Sequence, residues 1–415
     1  MTNHQQLRVS GKRLWQRLMD MAEIGPGQSG GSCRLALTDD DKAGRDQFIE
    51  WCQALNLNIR IDDMGNIFAR HEGSNNNLAP VVAGSHLDTQ PHGGRFDGIF
   101  GVLSALEAVQ TLHENQIVTQ APLEIVVWTN EEGSRFAPAM IASGVYAGLF
   151  EKSFAWSRTD SNGLRLEDEL DRIGYKGEMI CGSNPFGALL EAHIEQGPIL
   201  EAKQEQIGVV IGGQGQRWYD ITIKGQDSHA GSTPMPGRRD ALVAAANVIQ
   251  LVQTLALDFS PHAVGTVGEM SVIPNSRNTI PGEVRLTVDL RNPDDKALAS
   301  MDHELRQKAN EIFSEHGVEA IIDQIWHNPP VIFNPECIDA VRVATEQLGY
   351  SHREMVSGAG HDACQVCRVV PTAMIFVPCE GGLSHNEAEY ASPEDLEAGC
   401  NVLLHAMIKL AGLTQ

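Results

Sequence analysis

Apolar residues recur at helical spacing over 10–23, 41–55 and 97–115, and these stretches alternate with strand-like runs near 59–70, 80–85 and 123–128. That alternation predicts an α/β domain. APVVAG at 79–84 and LEIVVW at 123–128 are nearly unbroken apolar runs, as expected of strands covered on both faces. After GGQG at 212–215 the pattern changes to the alternation of WYDITI at 218–223. A helix from 239 to about 254, strand-like runs at 265–273 and 282–290, a helix over 293–316 and a strand near 318–326 follow. This β-α-β-β-α-β order is that of a split βαβ, ferredoxin-like unit. The prediction is a first domain over 1–212 that resumes at 330–415, with a ferredoxin-like α+β domain inserted over 213–329. Length agrees, since 415 residues exceed what one core usually organises.

Charge narrows the partners. Lys and Arg number 31 against 54 Asp and Glu, and a net charge of −23 argues against nucleic acid or an anionic membrane surface. The start, MTNHQQLRVSGKRLWQ, has no apolar h-region, and no stretch reaches the roughly 18 apolar residues of a membrane span. Eight scattered cysteines in such a chain predict reduced thiols rather than a disulfide framework, so a cytoplasmic location is expected. The lone C-x-x-C of Cys364 and Cys367 has no partner pair and falls in a predicted helix after Gly360, where packing is the expected role. The Gly-rich loop at 25–31 lacks the Lys and the spacing of a phosphate-binding loop.

Candidate chemistry sits in five short segments placed where strands meet loops: GSHLDT at 84–89, GGRFDG at 93–98, TNEEGSRF at 129–136, HIEQG at 193–197 and GGLSHNEAE at 381–389. Histidines with carboxylates are the donor set of a hydrolytic metal site. Strand alternation puts His86 and Asp88 on one side, with Asp88 placed to fix the second ring nitrogen of His86. Asp97 stands between tight-turn glycines, where its carboxylate could bridge two cations. Glu131 and Glu132 are adjacent at a strand end and would repel unless one is a ligand and the other a general base. His193 and His385 follow apolar runs and would arrive at the same mouth. A single histidine or Glu pair is more often structural or solvated; five segments in this order suggest two metals sharing one carboxylate.

The inserted domain offers candidates for substrate. His229, in QDSHAG at the end of a strand and before a helix, could steady an oxyanion. Asn278 in PNSRN could bind substrate or cap a turn. Arg291 in VDLR could grip a substrate carboxylate with its fork or pair with a surface acid.

Together with QSGGSCRLALTDDD, DDMGNIFAR, GQDSHAGSTPM, PNSRNTIPG and SGAGHDA, these segments resemble the amidase, hydantoinase and carbamoylase branch of the dinuclear zinc aminoacylase and exopeptidase superfamily, from about Trp15 to Leu403. That branch includes N-carbamoyl-L-amino acid hydrolases, bacterial β-ureidopropionases and allantoate amidohydrolases. The resemblance implies an α/β catalytic domain with a central sheet flanked by helices, plus an inserted ferredoxin-like dimerisation (lid) domain. It implies one metal at His86, Asp97 and His193, another at Asp97, Glu132 and His385, Glu131 as base, and Asp88 orienting His86. The two divalent ions would be zinc first, with manganese, cobalt or nickel as alternatives. His229 and Asn278 would act across a homodimer interface, Arg291 would bind the carboxylate, and Gln196 and Gly360 would line the carbamoyl side. His361 and Asp362 are secondary candidates. The expected reaction is hydrolysis of a small ureido substrate, an N-carbamoyl amino acid, to amino acid, carbon dioxide and ammonia. Allantoate is the alternative, ranked second because FAPAMIASGVYAG at 136–148 looks more like carbamoylases. A non-catalytic binding protein on the same fold is the distant third reading, and it should have lost a ligand or the base.

Overall fold

Four apolar runs lie side by side as strands, in the order Leu123–Trp128, Val81–His86, Ala188–Ile194 and Thr372–Val377. Each neighbouring pair is parallel, and every residue in them is buried, which is why their sequences are continuously apolar rather than alternating. The structure, a computed structural model, describes residues 6–414. The first five residues of the N-terminal stretch read above and Gln415 lie outside the described residues.

Among the described residues these strands are the centre of a nine-stranded sheet. Asn58–Ile61 and Ile67–His71 add an antiparallel hairpin beyond Leu123–Trp128, and Ile207–Gly213 runs antiparallel beside Thr372–Val377. Helices cover the sheet, as the α/β alternation predicted. Ile99–Glu114 is buried over most of its length and packs on the central strands with Pro393–Ala411 and Gly11–Ala22. Gly101 permits the approach, because a Cβ there would lie 2.4 Å from the Ala192 carbonyl oxygen. The single strand expected over 59–70 is two strands. Asp62 breaks it by accepting the backbone N–H groups of Met64 and Asn66, both at 2.9 Å, and so folds 62–66 into a turn.

The chain divides into two compact units, Met1–Gly212 with Ile332–Gln415, and Gly213–Val331. The second unit is an antiparallel sheet ordered Met270–Ile273, Glu283–Asn292, Gly215–Lys224, Glu319–Asn328, with the helices Ala241–Asp258 and Asp295–Glu315. This is the strand order of the split βαβ unit. Its core joins Tyr219, Ile221 and Ile223 and the alternate residues Val284, Leu286 and Val288 to Val248, Leu255 and Leu305 of the helices. The run at 265–273 is also two strands, Val264–Thr266 and Met270–Ile273. They are parted where Thr287 bonds both backbone groups of Glu269, at 3.1 Å each. One expectation needs correcting. The helix Ala241–Asp258 is long and apolar enough to cross a membrane by length and composition. Its Ala241, Ala244, Ala245, Val248, Val252 and Leu255 form part of this core, which accounts for the apolar run.

Candidate metal centre

Because the four central strands are parallel, their carboxyl ends share one edge of the sheet, the place where α/β folds bind ligands. His86 closes Val81–His86, and Leu123–Trp128 runs on to Glu131 and Glu132. Thr372–Val377 leads to His385. His193 was expected to follow its strand and instead lies within it, one residue from the end of Ala188–Ile194. Asp97 comes from the loop before Ile99–Glu114, and Gly98 lets it enter. Gly98 has φ +74, and a Cβ there would stand 2.3 Å from the His86 ring.

Two donor groups result, His86 with Asp97 and His193, and Asp97 with Glu132 and His385, the ligand atoms of each lying within 4.8 Å of one another. Asp97 faces both. Its Oδ1 is 3.1 Å from His193 Nε2 and 3.7 Å from His86 Nε2, and its Oδ2 is 3.3 Å from His385 Nε2. His385 Nε2 lies 3.5 Å from Glu132 Oε2. The ring tautomers follow from the other nitrogens. His86 Nδ1 donates to the Asp88 carbonyl at 2.8 Å and His193 Nδ1 to the Ile194 carbonyl at 2.9 Å. Each ring, when neutral, presents an Nε2 lone pair to a carboxylate oxygen, and such facing acceptors need a cation or a proton between them. The residues therefore fit divalent metal ions. The electrostatics agree: burial pulls His86 down to about 4. His193 is just as buried, yet the Asp97 hydrogen bond and charge outweigh burial and push it up to about 9.

Glu131 and Glu132 diverge from one turn. Asn130, at φ +58, makes the turn and donates to the Phe136 carbonyl at 2.8 Å. Asp88 accepts the backbone N–H of Glu131 and of Glu132, each at 3.2 Å. The carboxylate expected behind His86 is thus engaged elsewhere, and it is the Asp88 carbonyl that fixes the ring. Glu132 is held by Gln90, whose backbone N–H and side-chain amide donate at 3.1 and 2.7 Å. Glu131 Oε2 lies 3.6 Å from His86 Nε2. Burial first, then the charges of Asp362, Glu132, Asp97 and Asp88, hold Glu131 well above the usual carboxylate range.

Gln196 donates to Asp97 Oδ2 at 2.9 Å. Gly360 lies where a Cβ would meet Met140 Cε at 2.8 Å, which brings the 136–148 stretch beside SGAGHDA. A third grouping, Glu191 with His193 and His361, shares His193 with the first. Glu191 accepts from Ser85 Oγ at 2.6 Å and the Ala363 N–H at 2.9 Å, and His361 Nε2 is 3.0 Å from Ser357 Oγ, so these residues brace the loop. The sequence reading assigned no role to Gln90, Ser384 or Glu389. Glu389 was inside the GGLSHNEAE segment, four residues past His385.

In the second unit His229 and Asn278 are brought together. The strands Ser228–His229 and Thr279–Ile280 pair, and the Ala230 N–H donates to the Asn278 carbonyl at 2.9 Å. His229 does not directly precede a helix, since the next begins at Ala241. Its Nδ1 accepts the N–H groups of Gly231 and Ser232 at 3.0 and 3.1 Å, which leaves Nε2–H as the donor of the neutral ring. Arg291 lies on Glu283–Asn292, where its Nε and Nη2 grip Asp289 at 3.0 and 2.8 Å.

A sequence model described as peptidase family M20/M25/M40 matches residues 82–409, the span that carries every donor above. The chain belongs to this family. An N-carbamoyl-L-amino-acid amidohydrolase of Rhizobium meliloti is 49% identical over 408 residues, 98% of each chain. An allantoate amidohydrolase of Bacillus subtilis is 34% identical, covering 94% of this chain and 95% of its own. The crystal structure of an amidase of the hydantoinase/carbamoylase family from Burkholderia multivorans is 56% identical and superposes with TM-score 0.96, covering 98% of both chains. The resemblance read from the motifs is confirmed, and the chain is a hydrolase of amide C–N bonds.

Proposed function

We propose that the chain hydrolyses the carbamoyl group of N-carbamoyl amino acids, L-α or β and including N-carbamoyl-β-alanine, to amino acid, carbon dioxide and ammonia. The observation that carries the reading is Asp97 facing both donor groups while the neighbouring Glu131 stays outside them. Two divalent ions, zinc first, would be held by His86, Asp97 and His193 and by Asp97, Glu132 and His385. When bound they would lower the pKa of a water and polarise the carbamoyl oxygen.

The chain's own residues supply the rest. Glu131 takes a proton from water as the water oxygen bonds to the carbamoyl carbon. It returns that proton to the amino acid nitrogen as the C–N bond breaks. The carbamate left behind decomposes to carbon dioxide and ammonia. His229, a neutral Nε2–H donor, would steady the oxyanion with Asn278, and Arg291 would bind the substrate carboxylate. Gln196 and Gly360 would line the carbamoyl side. His229 and Asn278 are assigned to the site of a partner copy in a homodimer. Supporting a dimer, Val243, Ile249 and Leu257 on the helix Ala241–Asp258 are exposed.

Allantoate hydrolysis is the second reading, favoured by the Bacillus subtilis relative. Measuring ammonia release from N-carbamoyl-L-amino acids, N-carbamoyl-β-alanine and allantoate side by side decides between them. Preferred turnover of allantoate would overturn the first reading.

A further inference from the structure

His385 is half exposed at the tip of a loop, while the Asp97 it faces is buried in a different segment. What fixes one against the other is Glu389, which is 4% exposed. Its Oε1 accepts two successive backbone N–H groups, those of Phe96 at 3.0 Å and Asp97 at 3.1 Å. Its Oε2 accepts Ser384 Oγ at 2.8 Å. The loop is closed at its base by Glu380 N–H on the Tyr390 carbonyl at 2.8 Å, and Glu389 N–H on the Asn386 carbonyl at 3.0 Å tightens it inside. Gly94 leaves room for the clamp, since a Cβ there would lie 2.0 Å from Glu389 Oε1.

Ser384 adds a second effect. Its Oγ lies 3.2 Å from Asp97 Oδ2 and 2.8 Å from Glu389 Oε2, and a hydroxyl has one proton for two carboxylates. The shorter bond draws that proton toward Glu389. The lone pairs of Ser384 then face Gln196 Nε2–H, 3.1 Å away, and Asp97 Oδ2, which also accepts from Gln196 at 2.9 Å, keeps its remaining lone pair for a cation.

We propose that Glu389 is a positioning residue: by clamping the Asp97 backbone to the His385 loop and orienting Ser384, it sets the metal affinity of the Asp97, Glu132 and His385 group. The inference rests on reading that group as a metal site.

The test is titration of the metal-free full-length chain with Zn²⁺ against a competing chelator, following each equivalent separately. Wild type should take two equivalents. Glu389→Ala should weaken the equivalent that His385 helps to hold by about 10–100-fold, the range for groups that orient ligands, and the other, which shares only Asp97 with it, by much less. Glu389→Gln keeps an oxygen for the two N–H groups and should recover most of the loss. Two unaltered equivalents in Glu389→Ala, or both weakened alike, would overturn the inference while leaving the two-metal reading intact. Fewer than two equivalents in wild type would overturn both. If Glu389→Ala fails to fold by circular dichroism, Ser384→Ala decides, because it leaves the backbone clamp in place. Selective weakening of one equivalent supports the proposal, and unchanged affinity rejects it.

Discussion

The carbonyl oxygen of Asp88, not its carboxylate, accepts the Nδ1 hydrogen of His86, at 2.8 Å; the nearest carboxylate oxygen is 4.0 Å from that nitrogen. The carboxylate instead binds the N–H groups of Glu131 and Glu132. One residue thus sets the tautomer of His86 through its main chain and the place of Glu131 and Glu132 through its side chain.

Asp88→Asn separates these roles. The carbonyl is unchanged, so metal at His86 should be retained. An amide has one oxygen for two N–H groups, so the Glu131–Glu132 turn should loosen and kcat fall by about 10–100-fold with little change in KM. Metal analysis with steady-state kinetics checks it; a protein that loses the metal and keeps the turnover of its loaded fraction would contradict the assignment.

Asp97 and His385 differ in how many sites they serve. Asp97→Ala should lose both metal equivalents on dialysis, whereas His385→Ala should mainly weaken one. Two equivalents retained by Asp97→Ala would rule out bridging.

Arg291 meets Asp289 through a pair of bonds, Nε to Oδ1 at 3.2 Å and Nη2 to Oδ2 at 2.8 Å, the same fork geometry that suits a substrate carboxylate. Arg291→Lys should raise KM sharply for N-carbamoyl amino acids, because a point charge cannot reproduce two parallel bonds. The free acid should suffer more than its amide. Equal losses for the two would remove Arg291 from the carboxylate site.

Sharing of the site between subunits is open to complementation. Glu131→Gln and His229→Ala chains, each inactive alone, are mixed, unfolded and reassembled. With random pairing half the dimers are hybrids holding one intact site of two, so about a quarter of wild-type activity should return. No recovery despite demonstrated subunit exchange would place His229 at its own subunit's site.

Much of this was legible in the sequence because it depends on local pattern. Apolar runs such as LEIVVW marked the buried strands, and the histidines and acids beyond their ends marked the centre, since a parallel sheet gathers such ends on one edge. The split βαβ unit was legible from alternation in WYDITI and its partners. What could not be read depends on where main-chain groups point. Asp88 carries a carbonyl and a carboxylate two residues past His86, and only the fold shows which of them reaches the ring. The clamps of Gln90 on Glu132 and Glu389 on Asp97 join segments 42 and 292 residues apart, with no periodicity to announce them. The strand expected over 59–70 failed for a local reason, the capping of its own turn by Asp62.

The most direct measurement is turnover of an N-carbamoyl-L-amino acid, read as ammonia and free amino acid, by wild type and Glu131→Gln at matched metal content. A Gln cannot accept the water proton, and Glu131 lies outside both donor groups. The account predicts near-wild-type metal with kcat lower by about 10²–10⁴-fold, the usual contribution of a general base. Substantial residual turnover, or loss of a metal equivalent from Glu131→Gln, would contradict it.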